Sequence, residues 1–329
     1  MEMMLDEELK KEWLESVGVA IDPHYIENNI HLLKRLKKPT GKIDVVLDTD
    51  TYNEIDDQYA LAYMVKSDEK LNVKAIYAAP FTNAKAVSAK EGMEKSYDEI
   101  LHVLSLMGRE DLHSCVYKGS EEYLADERTP VISEAAKDLA ERAMQYSEEN
   151  PLYVVAIAAI TNIASAILLN PGIVNRIVLV WLGGNALDWP NNREYNLYQD
   201  IAGARVVFGC HLPLVQLPCM GVVSAFTVSG PELERYLRNQ NPLCDYLVDV
   251  TAKEAAACGG GKTWSRPIWD VTAVGWLLDG ELMYDRIEHA PVPEYDDRYS
   301  YTKDGHFYKY VYHINRDNLL ADMIAKLTK

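Results

Sequence analysis

Residues 45–63 read VVLDTDTYNEIDDQYALAY. The apolar run Val45, Val46, Leu47 ends on Asp48, and Asp50, Asp56 and Asp57 follow before an apolar-periodic segment begins. A short aliphatic run of this kind reads as a buried strand, and the periodic segment after it reads as a helix. Four carboxylates within ten residues repel one another and raise one another's pKa. Asp and Asn favour turns, so a solvated acidic turn is one reading. Against it, aspartates that come straight off a buried strand are costly unless something compensates their charge.

The same alternation runs outward through the chain. Apolar runs at 43–48, 73–79, 115–117, 153–160, 177–182 and 214–217 alternate with helical patterns at 58–66, 86–107, 133–147, 163–169 and 201–208. The last third reads as more helical, at 232–238, 246–257, 271–278 and 316–327. Continuous apolar strands separated by amphipathic helices predict an open α/β fold with a mostly parallel sheet covered on both faces. No internal repeat or low-complexity linker interrupts residues 41–329, which are expected to form a single domain. Residues 1–40 read as a helical extension ended by Pro39 and Gly41.

Composition narrows the function classes. Of 329 residues, 48% are hydrophobic and 25% charged, which are globular values, and the formal charge of -17 argues against a nucleic-acid partner. No run of 18 apolar residues is present, so no membrane partner is expected. The five cysteines form no CxxC pair, which leaves neither a zinc spacing nor a disulfide framework. The acidic, amphipathic N-terminus lacks the features of a signal peptide, so a cytoplasmic location is expected.

Two chemical readings of the acidic stretch remain. VVLDTDT resembles the strand and DxDxT that open haloacid-dehalogenase-like phosphatases, with the first Asp as nucleophile. The later Gly-Asp-x-x-x-Asp of those enzymes is missing; LDGELMYD at 278–285 places its Asp before the Gly. The other reading is a hard-cation site, in which oxygens from several strand ends surround one ion. It requires polar tips on other strands, and these are present: Asn83 in AAPFTNA, Thr161 and Asn162 in AAITNIASAI, the segment LGGNALDWPNNREYNLYQD, and Asp270 in RPIWDVTAVGW.

Together these segments resemble the inosine–uridine-preferring nucleoside hydrolase family, over about residues 43 to 329. The counterparts of its motifs are Asp48/Asp50/Asp56/Asp57, ITNIA at 160–164, Gly183–Gly184 followed by EYNLYQD, and Trp269–Asp270. The resemblance implies an open, Rossmann-like sheet and one bound calcium ion. It also implies hydrolysis of the N-glycosidic bond of a nucleoside or related N-riboside. Transferred by motif position, Asp48, Asp57 and Asp270 would hold the ion through carboxylates and Thr161 through its backbone carbonyl. Asp48 would also deprotonate the attacking water. Asp56, Asn83, Glu194 and Asn196 would hold the ribose hydroxyls, with Asp270 touching one as well. The family also implies a homodimer or homotetramer.

The chain departs from the pattern in three places. Five residues, TYNEI at 51–55, separate the aspartate pairs where the family has three, and Asn53 is expected to face the pocket. Trp269 stands where much of the family has the His that protonates the leaving base. Indole offers no such proton but can stack on a base. His289, His306 and His313 are the other acids available, and the Tyr-rich segment 295–312 could form a wall for the base, a flap or a surface loop. Asn185, Asn191 and Asn192 compete for one family asparagine, and Asn185, directly after the strand, is expected to fill that place. The missing His leaves an alternative function, a nucleoside- or ribose-binding regulatory protein. AAACGGGKTW, superficially a phosphate loop, follows a helical pattern and has Ala256 where the first Gly is needed, so it reads as a helix stop.

Overall fold

The structure is a computed structural model that describes residues 30–259, 261, 263–302 and 305–329. Most of the expected N-terminal extension lies outside the described residues; within it, residues 30–35 are helical.

The strands in chain order are β1 (Ile43–Thr49), β2 (Leu71–Ala78), β3 (Val116–Lys118), β4 (Leu152–Ala156), β5 (Ile177–Leu182), β6 (Leu214–Leu217), β7 (Thr227–Ser229), β8 (Ser265–Pro267), β9 (Met283–His289), β10 (Val292–Pro293), β11 (Tyr299–Ser300) and β12 (Phe307–Ile314). Eight of them form one sheet in the order β3-β2-β1-β4-β5-β6-β12-β9. Only β9 runs antiparallel to its neighbour. The six strands expected from apolar runs are all present, and the fold is the open, mostly parallel α/β sheet that the alternation predicts.

The helices are α1 (Asp56–Val65), α2 (Ala89–Leu106), α3 (Glu134–Arg142), α4 (Thr161–Leu169), α5 (Tyr195–Gln199), α6 (Ile201–Gly209), α7 (Gly230–Tyr236), α8 (Pro242–Ala257), α9 (Val271–Trp276) and α10 (Arg316–Leu327). Side chains alternate across a strand, so each strand feeds two cores. Val45 and Leu47 of β1 join the core under α1, α2, α8, α9 and α10, whereas Val46 joins the one under α3, α4 and α6. Covering both faces is what makes the strands apolar throughout. All ten residues of α1 are buried, its two aspartates included. Helix α8 ends at Ala257, followed by Gly259 at φ +74°, which agrees with the helix stop; Gly260 and Lys262 lie outside the described residues. Among the described residues no helix is long and apolar enough to cross a membrane.

Two strands of the eight-stranded sheet went unread in the sequence. FYKYVYHI forms β12, which continues the sheet beside β6, and MYDRIEH forms β9 at its edge. Their tyrosines suit a sheet, but interleaved Lys, Arg and Glu hide the apolar run that marks a buried strand.

Strand order reverses between β1 and β4: the chain winds outward to β2 and β3 on one side and to β5 and β6 on the other. The carboxyl ends of strands at such a switch point diverge and leave a crevice.

Candidate active site

The crevice holds a cavity of about 190 Å³. Asp50, directly beyond β1, and Ile157, directly beyond β4, both line it. Asp56 and Asp57 enter from the first turn of α1, and Asp270 precedes α9. Carboxylate oxygens of Asp56, Asp57 and Asp270 lie within 4.8 Å of one another. All three residues are at most 4% exposed, and Asp50 is 1% exposed.

Hydrogen bonds set the aim of these groups. Thr49 Oγ1 donates to Asp57 Oδ1 over 2.5 Å, and the Asp270 amide donates to Asp56 Oδ2 over 3.2 Å. Burial pushes the Asp56 and Asp57 carboxyls up to about 7, with Asp57 adding repulsion at Asp56. Asp50 and Asp270 are raised well above the usual range by burial and by the neighbouring aspartates. Carboxylates buried this closely are costly unless protonated or neutralised by a cation. The donor set is all oxygen, which suits a hard cation, so the residues present fit a divalent ion.

Other pocket residues come from later strand ends. Glu194 caps α5, its carboxylate accepting from the amides of Gly184, Asn196 and Leu197 at 2.8–2.9 Å. Burial nonetheless raises Glu194 to about 7. Asn196 Nδ2 donates to the Leu182 carbonyl, and Asn185 Oδ1 accepts from the Met220 amide. Gly184 has φ +77°, and a Cβ there would collide with the Tyr299 hydroxyl. That close approach lets the hairpin β10–β11 pack under the loop carrying Asn185. The Asn192 amide donates to the Asp297 carbonyl over 2.6 Å, and Arg193 pairs with Asp297 at 3.2 Å. Tyr299 is thus a support beneath this loop and not a wall for the base, while Tyr295, Tyr301 and Tyr312 are exposed.

Of the expected site residues, Asn53, Asp56, Asp57, Asn185, Glu194, Asn196, Trp269 and Asp270 line the cavity. Asn53 Nδ2 donates to Asp50 Oδ2 over 3.2 Å, so the longer TYNEI loop does reach the acidic cluster. Asn83 stands behind it, donating to Asn53 Oδ1 over 2.7 Å. Thr161 Oγ1 is committed to Asp200. Asp48 does not line the cavity. Its Oδ1 accepts from Asn162 over 2.8 Å, and its Oδ2 has no hydrogen-bond partner. The strand-end carboxylate that lines the cavity is Asp50, which sequence reading counted in the cluster but gave no role. Glu54, Arg193, Tyr195 and Cys219 also line it and were assigned none. The lining includes no histidine. His306 is buried and stacked on His211, His313 stacks on Tyr284, and His289 lies on β9. Trp269 presents an indole N–H that has no hydrogen-bond partner.

Comparison with known proteins shows the family and the fold. Residues 45–318 match the family model of the inosine-uridine preferring nucleoside hydrolases. The pyrimidine-specific ribonucleoside hydrolase RihA of Citrobacter koseri is 23% identical over 249 residues, spanning 65% of this chain and 77% of that protein. Among solved structures, the plant nucleoside hydrolase PpNRh1 matches with a TM-score of 0.70 at 19% identity, over 88% of this chain and 99% of that one. A purine-preferring ribonucleoside hydrolase from Gardnerella vaginalis gives 0.68 at 19% identity, over 87% and 98%. With Asp48 turned away toward Asn162, a phosphatase nucleophile at that position has no cavity to face. The chain belongs to the inosine-uridine preferring nucleoside hydrolase family and is a hydrolase of N-ribosides.

Proposed function

We propose that the protein uses one calcium ion to hydrolyse the N-glycosidic bond of a ribonucleoside or related N-riboside, releasing ribose and the free base. The observation that carries this reading is the convergence of Asp56, Asp57 and Asp270 in one buried cavity at the switch point of the sheet. Asp57 and Asp270 would hold the ion, with the Thr161 backbone carbonyl and a strand-end carboxylate. Bound there, calcium would lower the pKa of a water and fix its line of attack.

For the strand-end carboxylate, the geometry supports Asp50 over the expected Asp48, because Asp50 lines the cavity and Asp48 is held by Asn162. Asp50 would accept the proton of the attacking water, with Asn53 holding its carboxylate in place. Asp56, Asn185, Glu194 and Asn196 would bind ribose hydroxyls; Asp270 would touch one, and Asn83 would act through Asn53. As the bond to the base breaks, positive charge develops on the sugar, and the surrounding carboxylates stabilise it. Trp269 would stack on the base. The same reading takes residues 41–329 as one domain with an N-terminal extension, in a cytoplasmic homodimer or homotetramer.

The test is a panel of ribonucleosides scored for free reducing sugar, with calcium and after chelation. Calcium-dependent release of ribose is expected. Release of phosphate from monoesters with magnesium, and no ribose from any nucleoside, would sink the reading.

A further inference from the structure

A second cavity, of about 620 Å³, lies where residues 30–40 cross the amino-terminal ends of β1 and β4, with Ile43 and Tyr153 in its wall. Lys34, Arg35, Lys37 and Lys38 line it, facing Glu148 and Glu149. In a chain of net charge -17 most of the surface repels anions, so a wall with this balance is out of character.

Arg35 is the decisive residue. It is 6% exposed, and among the described residues none of its Nε, Nη1 and Nη2 atoms has a hydrogen-bond partner. The acid paired with it among the described residues is Glu148, whose half-exposed carboxylate lies 3.8 Å from Nε, beyond hydrogen-bond reach. A guanidinium stays protonated even when buried, and it carries five donors. A buried charge with unmet donors is expensive, and native structures seldom leave one without a reason.

We propose that this cavity is a binding site for a phosphate-class anion, gripped by the Arg35 guanidinium. The planar fork of arginine offers two parallel N–H groups, which match two oxygens of a tetrahedral phosphate. Lys38, partly buried in the same wall, supplies a second positive charge, and two charges suit a dianion better than a monoanionic carboxylate. The site is at the opposite end of β1 from the acidic cavity. Seven residues at about 3.3 Å each separate Ile43 from Asp50, so a ligand here sits roughly 20 Å from the substrate.

The experiment is calorimetric titration of the full chain, at constant ionic strength, with inorganic phosphate, glycerol 2-phosphate and acetate. Saturable binding of a phosphate compound is expected, and not of acetate. Tighter binding of the ester would mark the ligand as a phosphorylated metabolite, and tighter binding of the inorganic ion would mark it as free phosphate. Arg35→Gln should weaken the affinity at least tenfold. Glu148→Gln, which removes the carboxylate 3.8 Å from Arg35, should tighten it. Should Arg35→Gln fail to fold, the Glu148→Gln titration still decides. Absence of saturable binding, equal binding of acetate, or a Glu148→Gln affinity no tighter than that of the parent overturns the proposal.

Discussion

The acidic cavity makes the stability of the metal-free protein depend on pH in an unusual direction. The Asp57 carboxyl rises from its ordinary value of 3.8 to about 7 in the folded protein, with burial as the main cause. Its protonated form is therefore favoured by folding. That contribution is complete below the unfolded value and is lost as pH rises through the folded one. At about 1.36 kcal/mol per pH unit, the span from 3.8 to about 7 corresponds to roughly 4 kcal/mol for this one group. Asp56 shifts equally, but neighbouring carboxylates ionise as a set, so the values do not sum. For 329 residues the entropy of unfolding is about 0.7 kcal/mol per kelvin, which makes roughly 4 kcal/mol worth about 6 °C in Tm. Surface carboxyls held low by their partners, such as Asp126 and Glu232, titrate below this window and leave it undisturbed. The assay is thermal unfolding of chelator-treated protein between about pH 5 and pH 8, repeated with calcium. Tm should fall with rising pH without the ion, and calcium should restore more of it at pH 8 than at pH 5. Asp57→Asn should make the metal-free slope shallower, the remainder coming from Asp56, Glu194 and the other raised carboxyls, and should abolish both the calcium increment and turnover. A metal-free Tm that holds level or climbs across the window, with equal calcium increments at both ends, would refute the reasoning.

Three further outcomes follow from the geometry. Asp50→Asn should lower kcat on a cleaved nucleoside by about 10²- to 10⁴-fold, as loss of a general base does, while Asp48→Asn should cost far less; the reverse ranking in kcat would return the base to Asp48. Trp269→Ala should raise KM by about 5- to 150-fold through lost stacking of about 1–3 kcal/mol, and Trp269→Phe should recover most of that; an unchanged KM in both would remove Trp269 from the base site. Gly184→Ala should destabilise the fold by at least about 1–2 kcal/mol, from the left-handed backbone alone, with the collision against Tyr299 adding to it; urea unfolding that matches the parent would show that the hairpin is not packed as described.

Much of this site is legible in the sequence because strand ends carry it. The rule that ligands gather beyond the carboxyl ends of strands points to the segments holding Asn83, Asn185 and Glu194, and the family resemblance then singles out Glu194 and Asp270. The same rule misfires at β1 by a narrow margin. Sequence reading ends the strand at Asp48, where the apolar run stops, but β1 continues through Thr49, and Asp48 is still in register with Tyr77 and Ala156. The first residue past the strand is Asp50. Asp48 and Asp50 are two residues apart and would share a face of a strand, so alternation does not separate them; Asp48 is still inside the ladder and Asp50 is past its end. Arg193 and Tyr195 were missed for another reason. They flank Glu194, and only the loop's path over the cavity, fixed by the distant pairing with Asp297, brings them in.

The C-terminal strands have a consequence for how the enzyme is made. β12 pairs with β6, some ninety residues earlier in the chain, and the loop that carries Asn185 leans on Asp297 and Tyr299. A ribosome that has delivered residues 43–217 has supplied six strands and most of the acidic cluster, but neither Asp270 nor the hairpin beneath the loop that carries Asn185. The acidic cavity is therefore completed only after residues 270–299 have followed, by contacts of long sequence separation, which form late and slowly. Until then β6 is an open sheet edge, and that nascent stage is where the chain is most exposed to mispairing.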